Sequence, residues 1–456
     1  MKIEDFNTIF FIGIAGTGMS AIAQYLQGTG KQVSGSDRYF TADANNRTKQ
    51  QLEAEGICCY LQDGSGINQH TDLVVVSTAI EDTVIEVIKA RELNIPILRR
   101  SEVLALITQS KKSIAVGGTS GKSTSSAMIF DILQYAGLQP SIISGAGLIS
   151  IIREGKIGNA KVGAGEWLVI EADESDGSIV QYSPEIGLLL NIDKDHQEID
   201  ELIHLFETFK SNTKSTFISN QSNKLSCNVS RSKTFDFSTE GEIAGYMASD
   251  FEQNAYQIRF KVNQVPFQMN TLGKLNMENA TAAIAVASTL GVSMEVASAA
   301  LAKYEGIYRR HQLIGEKDGI ILIDDYAHNP AKCAASIRAC QPLSQKVIAW
   351  FQPHGYGPTR FLRKDFVTEI SAALRPNDEI WMSEIFYAGG TAVKDISSND
   401  LINDIQQLGK KAFFIEDRAN LIDAIRGHFE ASTVLLLMGA RDPSLEQFSD
   451  QVWQQI

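Results

Sequence analysis

The sequence predicts an α/β protein of three domains, and three observations support that prediction. Strand-like and helix-compatible segments alternate through the first hundred residues, a glycine-rich turn joins a strand to a helix after residue 112, and the last third returns to the alternation. Such alternation is typical of largely parallel sheets covered by helices. A chain of 456 residues fits roughly three domains, and changes in the pattern place them at 1–108, 109–310 and 311–456.

The bulk composition excludes several function classes. A net charge of −13, without a basic run interleaved with aromatic residues, argues against nucleic acid as a partner. The five cysteines lack Cys-x-x-Cys spacing and follow no secretory leader, so we expect reduced thiols and no zinc cluster. No apolar stretch reaches the roughly 18 residues of a membrane span. We therefore expect a cytoplasmic protein with small-molecule partners and no membrane partner, as a monomer or a weak homodimer.

The first domain is expected to be Rossmann-like. Its predicted strands are 8–14, 32–36 and 73–77, its predicted helices are 19–27, 44–55 and 83–92, and the short segment 96–98 continues the alternation. After the first strand, Gly16, Gly18 and Ala21 match a dinucleotide fingerprint, and Asp37 lies about 20 residues further on. Because a helix N-terminus binds any pyrophosphate, this pattern suits NAD and a nucleotide sugar equally well.

The second domain is expected to be P-loop ATPase-like with a mixed sheet. A short strand at 113–116 leads into a glycine-rich loop, and a helix is predicted from 125 to 135. Glycines let backbone N–H groups turn toward phosphate oxygens, Lys122 neutralises those oxygens, and the Ser123 hydroxyl can ligate Mg²⁺. The standard spacing would put a glycine at Val116, so this loop is a variant. We predict ATP binding by Gly118, Thr119, Ser120, Gly121, Lys122, Ser123 and Thr124.

Acidic residues follow the next two predicted strands. The strand at 167–170 runs into four carboxylates within Glu171–Asp176, and the strand at 186–192 is followed by a segment that contains His196. Parallel strands end at one edge of a sheet, so these groups are expected beside the phosphate loop, where carboxylates suit Mg²⁺. Short alternating segments between 217 and 268 indicate an antiparallel edge.

The third domain is expected to be a second Rossmann-like α/β unit. Its predicted strands are 319–324, 347–351, 379–382 and 434–438. Arg310 lies at its boundary, where an arginine can clamp phosphates when domains close. The turn from Asp324 to Pro330, which contains Asp325 and His328, follows its first strand.

In this order, the motifs resemble the Mur ligase family, the ATP-dependent amide-forming enzymes of peptidoglycan synthesis. The likeness covers the whole chain and is greatest to the UDP-N-acetylmuramate:L-alanine ligase branch, including its tripeptide-recycling relative. It depends on Gly-Ile-x-Gly-x-Gly-Met-Ser from Gly13, the acidic run from Glu171, Asp-Asp-Tyr-x-His from Asp324, Phe-Gln-Pro-His from Phe351, and Tyr-Ala-Gly from Tyr387.

The resemblance implies that the three domains bind a UDP-sugar, ATP and the incoming amino acid, in that order. A substrate carboxylate would attack the γ-phosphate of ATP to give an acyl phosphate, from which the amine displaces phosphate. Carried over by position, Lys122, Glu171 and His196 would be catalytic, and Ser123, Glu171 and His196 would hold Mg²⁺. The other implied contacts are Asn279 with adenine, Arg310 with the phosphates, Asp325 and His328 with the nucleotide, Gly13, Gly16, Gly18, Ser20, Asp37 and Ser77 with the UDP-sugar, and His354, Tyr356 and Arg360 with the acceptor.

The chain departs from the family pattern in two regions. In the nucleotide motifs, Ser120 and Leu275 stand where the family usually has histidine, and Ser123 stands for threonine. The L-alanine branch follows Gln-Pro-His with Arg-Tyr-Thr-Arg-Thr-Arg, whereas this chain has Gly-Tyr-Gly-Pro-Thr-Arg at 355–360. Two arginines expected near the amino-acid carboxylate are absent, and Arg360 and Arg363 remain. The acceptor is L-alanine by resemblance, or a different amino acid or a short peptide if the altered motif changes the pocket.

Two other functions stay open from the residues alone. An NAD(P)-dependent oxidoreductase would use the glycine fingerprint but leaves Lys122 and the acidic run without a role. A nucleotide-binding regulator or ligase subunit could have kept the ATP site and lost the acceptor site, as Gly355 and Pro358 suggest. A screen of candidate amines separates these readings from an amide-forming ligase.

Overall fold

The computed structural model describes residues 1–41, 46–78, 80–193, 198–387 and 393–456. Its backbone contacts divide the chain into two compact units. The N-terminal unit consists of Met1–Phe251, Phe260–Met269 and Met277–Ile307, and the C-terminal unit consists of Glu252–Arg259, Asn270–Asn276 and Tyr308–Ile456.

Helices and strands alternate along most of the described chain. The strands are β1 Thr8–Ile12, β2 Gln32–Ser36, β3 Cys58–Tyr60, β4 Leu73–Val76, β5 Ile97–Arg99, β6 Lys112–Gly117, β7 Ser141–Ile143, β8 Ala160–Lys161, β9 Trp167–Glu171, β10 Ile186–Leu189, β11 Thr216–Ser219, β12 Phe237–Ser238, β13 Tyr246–Asn254, β14 Gln257–Val262, β15 Val265–Met269, β16 Gln312–Lys317, β17 Ile320–Asp325, β18 Lys346–Gln352, β19 Glu379–Met382, β20 Lys411–Phe414 and β21 Thr433–Gly439. The α-helices are α1 Thr17–Gly28, α2 Arg47–Ala54, α3 Ile85–Glu92, α4 Arg100–Ser110, α5 Lys122–Tyr135, α6 Ile149–Ile152, α7 Ile199–Asn212, α8 Ser226–Val229, α9 Lys274–Thr289, α10 Met294–Leu301, α11 Pro330–Cys340, α12 Tyr356–Phe361, α13 Arg363–Ala373, α14 Ser398–Gln407, α15 Leu421–Ile425 and α16 Leu445–Gln455.

The first sheet is parallel, in the order β3-β2-β1-β4-β5, as the strand–helix alternation predicts. Successive residues of β1 enter two different cores, Ile9 and Phe11 on one face and Phe10 and Ile12 on the other. Burial on both faces explains why this strand is an unbroken apolar run. The predicted strand at 8–14 stops at Ile12, because Gly13 turns the chain with a φ of +80°.

Two elements of this region were not predicted. The edge strand β3 has only three residues, which is too short to show a period. The helix α4 mixes polar and apolar residues without a clear stripe, and tertiary packing buries Val103, Leu104 and Ile107 all the same.

The second sheet has the order β11-β10-β6-β9-β7-β8. All neighbours pair in parallel except β7 and β8, which are antiparallel, so the predicted mixed sheet is confirmed. The central strand β6 lies between β9 and β10. The carboxyl ends of these three strands therefore meet at one edge, which is where an open α/β sheet binds ligands.

A smaller sheet of order β12-β13-β14-β15 follows, and β14 alternates in burial as its sequence predicts. The last sheet has the order β16-β17-β21-β18-β19-β20 and is parallel except for the antiparallel β16 at its edge. Trp350 and Phe351 in β18 enter separate cores on its two faces. The predicted strands of this region are confirmed, whereas β16 and β20 were not predicted.

Cys58, Cys59, Cys227, Cys333 and Cys340 are free thiols in the structure. Within the described ranges, no helix combines the length and apolar character that crossing a membrane requires.

Candidate active site

The predicted phosphate loop joins the end of β6 to the start of α5. Gly118 has a φ of +134° and Gly121 has a φ of +88°, which are conformations that residues with a side chain rarely adopt. A Cβ atom at Gly121 would also collide with the Asn279 side-chain oxygen. Because of this backbone path, α5 begins at Lys122, three residues before the predicted helix start. The N-terminus of α5 therefore opens on the loop, as a phosphate site requires.

Asn191, which follows β10, holds the loop in place. Its Oδ1 accepts hydrogen bonds from Thr119 Oγ1 at 2.9 Å and from the Ser120 N–H at 2.8 Å. Its Nδ2 donates to the Ser120 carbonyl at 3.1 Å. The side chain of one buried amide thus makes three hydrogen bonds to two successive loop residues.

Lys122 lies against the acidic run after β9. Its Nζ is 2.7 Å from Glu174 Oε2 and 4.0 Å from Asp173 Oδ1, and it donates to the Gly118 carbonyl at 2.8 Å. Burial lowers the pKa of Lys122, but the attraction of Glu174 and Asp173 outweighs burial, so this pKa lies above its ordinary value. The ammonium is therefore charged across the physiological pH range.

Glu171, the last residue of β9, joins the loop to the neighbouring β7 loop. Its Oε2 accepts from Ser123 Oγ at 2.9 Å, and its Oε1 accepts from Ser144 Oγ at 2.8 Å and from the Gly145 N–H at 2.5 Å. A carboxylate and a hydroxyl side by side at a phosphate loop fit Mg²⁺, which takes one or two protein oxygens and completes its shell with water and phosphate. His196, the third predicted ligand, lies outside the described residues.

No group of three or more His, Cys, Asp or Glu side chains with metal-site spacing occurs in the described part of the chain. The Mg²⁺ prediction therefore depends on the pair formed by Ser123 and Glu171, together with oxygens that a substrate would bring.

Asn279, predicted to contact adenine, lies in α9 directly behind the loop. Its Oδ1 accepts from Ser125 Oγ at 3.2 Å, and this oxygen faces Gly121. The structure thus brings Asn279 together with the loop backbone, although 154 positions separate it from Ser125.

The glycine-rich turn after β1 opens on the N-terminus of α1. Asp37 supports the turn, because its Oδ2 accepts a hydrogen bond from the Ala15 N–H at 3.0 Å. Its Oδ1 accepts from the Tyr39 N–H, also at 3.0 Å, which orients the carboxylate. Gly16 is the N-terminal cap of α1, and Gly13 supplies the left-handed turn before it. Ser77 is half-buried just after β4, at the same end of this sheet.

Ser20, also predicted to contact the sugar nucleotide, is 1 % exposed. Its Oγ donates to the Thr17 carbonyl at 3.1 Å and accepts from Asn159 Nδ2 at 2.9 Å. Asn159 also accepts from Gln24 Nε2 at 2.7 Å, so a buried polar network fixes α1 to the start of β8.

Arg100, which was not predicted, lies beside the glycine-rich turn. Its guanidinium is 3.3 Å from Asp176 Oδ2, and a Cβ atom on Gly18 would lie 2.9 Å from its NH1. This arginine therefore connects the turn of the first sheet with the acidic run that holds Lys122.

In the C-terminal unit, Arg310 projects from a strained segment. Arg309 and His311, on either side of it, have φ values of +53° and +47°. The Arg309 guanidinium forms a buried ion pair with Asp324, and the Arg310 guanidinium lies 4.5 Å from the centre of the Tyr326 ring. Unfavourable backbone held by a buried pair is typical of functional positions.

Asp325 lies in a buried group with His311 and Ser336. Ser336 Oγ donates to Asp325 Oδ2 at 2.7 Å, and His311 Nε2 is 2.9 Å from that hydroxyl. The His311 N–H donates to Asp325 Oδ1 at 3.2 Å. Both carboxylate oxygens are therefore positioned by neighbours, and neither His311 nor Ser336 was predicted.

His328 follows β17, and its ring is 5.6 Å from that of His354. Burial, together with the nearby charge of Lys332, lowers the pKa of His328 to about 3. Its Nδ1 is 2.9 Å from the Tyr326 carbonyl, which can only accept. His328 is therefore a neutral imidazole with the proton on Nδ1 and a lone pair on Nε2.

The predicted acceptor residues lie in α12 and in the turn that precedes it. Tyr356 forms an edge-to-face pair with Tyr387, with ring centres 5.7 Å apart. Lys394 lies over both rings. Arg360 is 2.5 Å from Asp395 Oδ1, so this predicted carboxylate ligand already has a carboxylate partner.

Comparison with known proteins identifies the family. Profiles of the Mur ligase family match at residues 8–112 (catalytic domain), 116–287 (middle domain) and 309–441 (glutamate ligase domain). The chain belongs to the Mur ligase family. It is therefore an ATP-dependent, amide-forming enzyme, as the motifs predict. The alternative of an NAD(P)-dependent oxidoreductase is wrong.

Curated relatives cover nearly the whole Mur ligase chain. A UDP-N-acetylmuramate–L-alanine ligase of Carboxydothermus hydrogenoformans is 32% identical over 96% of this chain and 95% of its own, and one of Dictyoglomus turgidum is 34% identical over 95% and 94%. Among solved structures, a UDP-N-acetylmuramate-alanine ligase of Thermotoga maritima has a TM-score of 0.80 at 24% identity, with 98% of each chain covered. A murein peptide ligase of Psychrobacter arcticus has a TM-score of 0.68 at 21% identity, also with 98% of each chain covered. Both structures share the fold of this Mur ligase.

Proposed function

We propose that this Mur ligase joins the carboxylate of UDP-N-acetylmuramate to the amine of an amino acid or short peptide, with ATP converted to ADP and phosphate, in peptidoglycan synthesis or recycling. The observation behind this proposal is the meeting of Lys122, Ser123 and Glu171 at one phosphate loop, in a chain similar to UDP-N-acetylmuramate–L-alanine ligases over nearly its full length. We assign residues 1–108 to the UDP-sugar, 109–310 to ATP and 311–456 to the acceptor.

The reaction would proceed in two steps. A carboxylate oxygen of the sugar nucleotide forms a bond to the γ-phosphorus while the bond from that phosphorus to ADP breaks. The amine nitrogen then forms a bond to the acyl carbon, the bond to phosphate breaks, and the nitrogen loses a proton. Both steps need charge neutralisation and positioning more than covalent help from the protein.

The loop residues would supply that neutralisation. Lys122 and the N–H groups of Gly118 to Thr124 would hold the β- and γ-phosphates, because the N-terminus of α5 opens on this loop. Ser123 and Glu171 would hold Mg²⁺, with His196 as a further ligand by resemblance, and this ion neutralises phosphate charge when bound.

Elsewhere, we assign Asn279, Arg310, Asp325 and His328 to the nucleotide. The turn residues Gly13, Gly16 and Gly18, with Asp37 beneath them and Ser77 beside them, would bind the UDP-sugar. Ser20 would support the turn that binds the UDP-sugar, because its hydroxyl is buried and hydrogen-bonded within the protein. His354, Tyr356 and Arg360 are assigned to the acceptor side.

An amine screen tests the proposal. Purified enzyme with UDP-N-acetylmuramate and Mg-ATP should release phosphate only when a suitable amine is added, and mass spectrometry should find the amide product. Lys122→Ala should lower the rate by about 100-fold or more. Lys112→Ala is the control, because Lys112 is exposed and paired with Glu166. Phosphate release without any amine, or no release with L-alanine, other amino acids and short peptides, contradicts the proposal.

The metal assignment has its own test. Removal of Mg²⁺ by EDTA should stop phosphate release, and added Mg²⁺ should restore it. Glu171→Gln should raise the Mg²⁺ concentration needed for half-maximal rate, because an amide oxygen is a weaker ligand than a carboxylate oxygen. An unchanged Mg²⁺ dependence in this variant would remove Glu171 as a ligand.

A further inference from the structure

The two arginines that remain near the acceptor motif are both paired within the protein. Arg360 NH2 lies 2.5 Å from Asp395 Oδ1 and donates to the Val393 carbonyl at 3.2 Å. Arg363 forms a two-pronged pair with Asp404, at 2.7 Å from Nε and 3.1 Å from NH2. A substrate carboxylate would have to displace an existing carboxylate at either arginine.

The carboxylate of Glu384, three positions before Tyr387, also has hydrogen-bond donors within the protein. Its Oε1 accepts from the Ile385 N–H at 2.7 Å and from the Ser398 N–H at 3.3 Å, and its Oε2 accepts from Ser397 Oγ at 2.6 Å. These bonds fix the carboxylate at the start of α14. It is therefore oriented by backbone and hydroxyl donors.

Lys394 differs from Arg360 and Arg363 in its surroundings. Its Nζ lies 4.4 Å from the centre of the Tyr387 ring and 5.8 Å from that of Tyr356. The residue is exposed, and among the described residues no carboxylate forms an ion pair with it. A ring quadrupole attracts a cation without neutralising it, so an ammonium over ring faces can still bind a carboxylate.

The two tyrosines are fixed by the backbone around them. The Phe386 N–H donates to the Pro353 carbonyl at 2.8 Å, and the Gly355 N–H donates to the Phe386 carbonyl at 2.9 Å. These bonds join the segments that carry Tyr356 and Tyr387. The aromatic surface under the lysine is therefore built into the fold and needs little ordering on binding.

We propose that Lys394 binds the carboxylate of the acceptor amine, while the rings of Tyr356 and Tyr387 pack against its aliphatic part. The proposal rests on the proposed ligase function and names the ligand class of its acceptor site: an amine that also carries a carboxylate. A lysine is a point charge without the planar fork of arginine, so it accepts a carboxylate from a wider range of directions. Both an α-amino acid and a short peptide have this chemistry.

The test compares acceptors and lysine variants in the phosphate-release assay. For the best amine of the screen, Lys394→Ala should raise the KM of the amine at least tenfold and leave the KM of ATP unchanged. Lys394→Arg should restore the KM to within a few-fold, and Lys364→Ala, which removes another exposed lysine of the same unit, should have no effect. With wild-type enzyme, amidation of the acceptor carboxylate should raise the KM to a similar degree, and this loss should vanish in Lys394→Ala.

The outcomes separate this inference from the function on which it rests. If an amine supports turnover but its KM is the same in wild type and Lys394→Ala, Lys394 is not the anchor and the ligase function stands. If no amine supports turnover, the ligase function fails and the inference fails with it. L-alanine and short peptides, tested as separate arms, show which source of the carboxylate the site takes.

Discussion

Replacing Asn191 with alanine should weaken nucleotide binding while the protein stays folded. The amide side chain makes three hydrogen bonds to the phosphate loop, at 2.9, 2.8 and 3.1 Å. The backbone bond from the Thr119 N–H to the Asn191 carbonyl, at 3.2 Å, remains in the variant. The substitution thus loosens the loop without removing the strand end that supports it.

The magnitude follows from those three bonds. Each contributes about 1 kcal/mol net, so up to about 3 kcal/mol of loop ordering is lost, and water recovers part of it. Since about 1.4 kcal/mol is a factor of ten, we expect ATP to bind about 10- to 100-fold more weakly. The affinity for the UDP-sugar should not change, because the three hydrogen bonds of the Asn191 side chain go to the phosphate loop.

Titration with a fluorescent ATP analogue measures this effect directly. Asn212→Ala is a matched control, because that amide donates a single bond to the Val180 carbonyl and none to the loop. Circular dichroism and a thermal unfolding curve should show that both variants fold. An ATP affinity equal to that of wild type would refute the view that Asn191 orders the loop for phosphate binding.

Three further predictions follow from single sites. Gly121→Ala should abolish nucleotide binding and lower the free energy of unfolding by about 2 kcal/mol, because the new Cβ strains a φ of +88° and collides with a buried amide. Gly137→Ala, which has open space around the new Cβ, should lower the free energy of unfolding in chemical denaturation by about 1 kcal/mol and leave nucleotide binding normal. His311→Phe should raise the KM for ATP about fivefold, because one hydrogen bond that positions Asp325 through a serine is lost, and an unchanged KM would contradict that role. Burial raises the pKa of Asp131 from 3.8 to about 7, so its ionisation destabilises the folded protein fully above about pH 7 and not at all below about pH 4. Asp131→Asn should therefore stabilise the protein by roughly 2 kcal/mol at pH 8 and leave its stability at pH 4 nearly unchanged, and a pH-independent difference in urea denaturation would disprove this.

Local spacing made much of the site predictable. The phosphate loop and the run that begins at Glu171 are continuous in sequence, and each follows an apolar strand, so parallel-sheet geometry brings them to one edge. Asn191 and Arg100 were not predicted, because their partners lie 72 and 76 positions away. Asn and Arg are common residues, and no local pattern marks those that reach across a fold.

On the acceptor side, the sequence marks a residue as a binding group, but the structure shows that this residue already has a partner. From the sequence, Arg360 is a free cation next to a motif that has lost two others. In the structure, Asp395 compensates its charge, and Lys394, one position before that aspartate, lies over two tyrosine rings.

By itself, the sequence determined the alternating α/β architecture, the loop built for phosphate, and the set of motifs that identifies a Mur ligase. Each depends on neighbours in the chain, namely the period of apolar residues, glycines where φ must be positive, and acids after strands. Only the tertiary structure decided how the polar and charged side chains pair: Lys122 with Glu174, Ser123 with Glu171, and Arg360 with Asp395. The reason is that electrostatic pairing depends on distances of a few ångströms between residues that are remote along the chain.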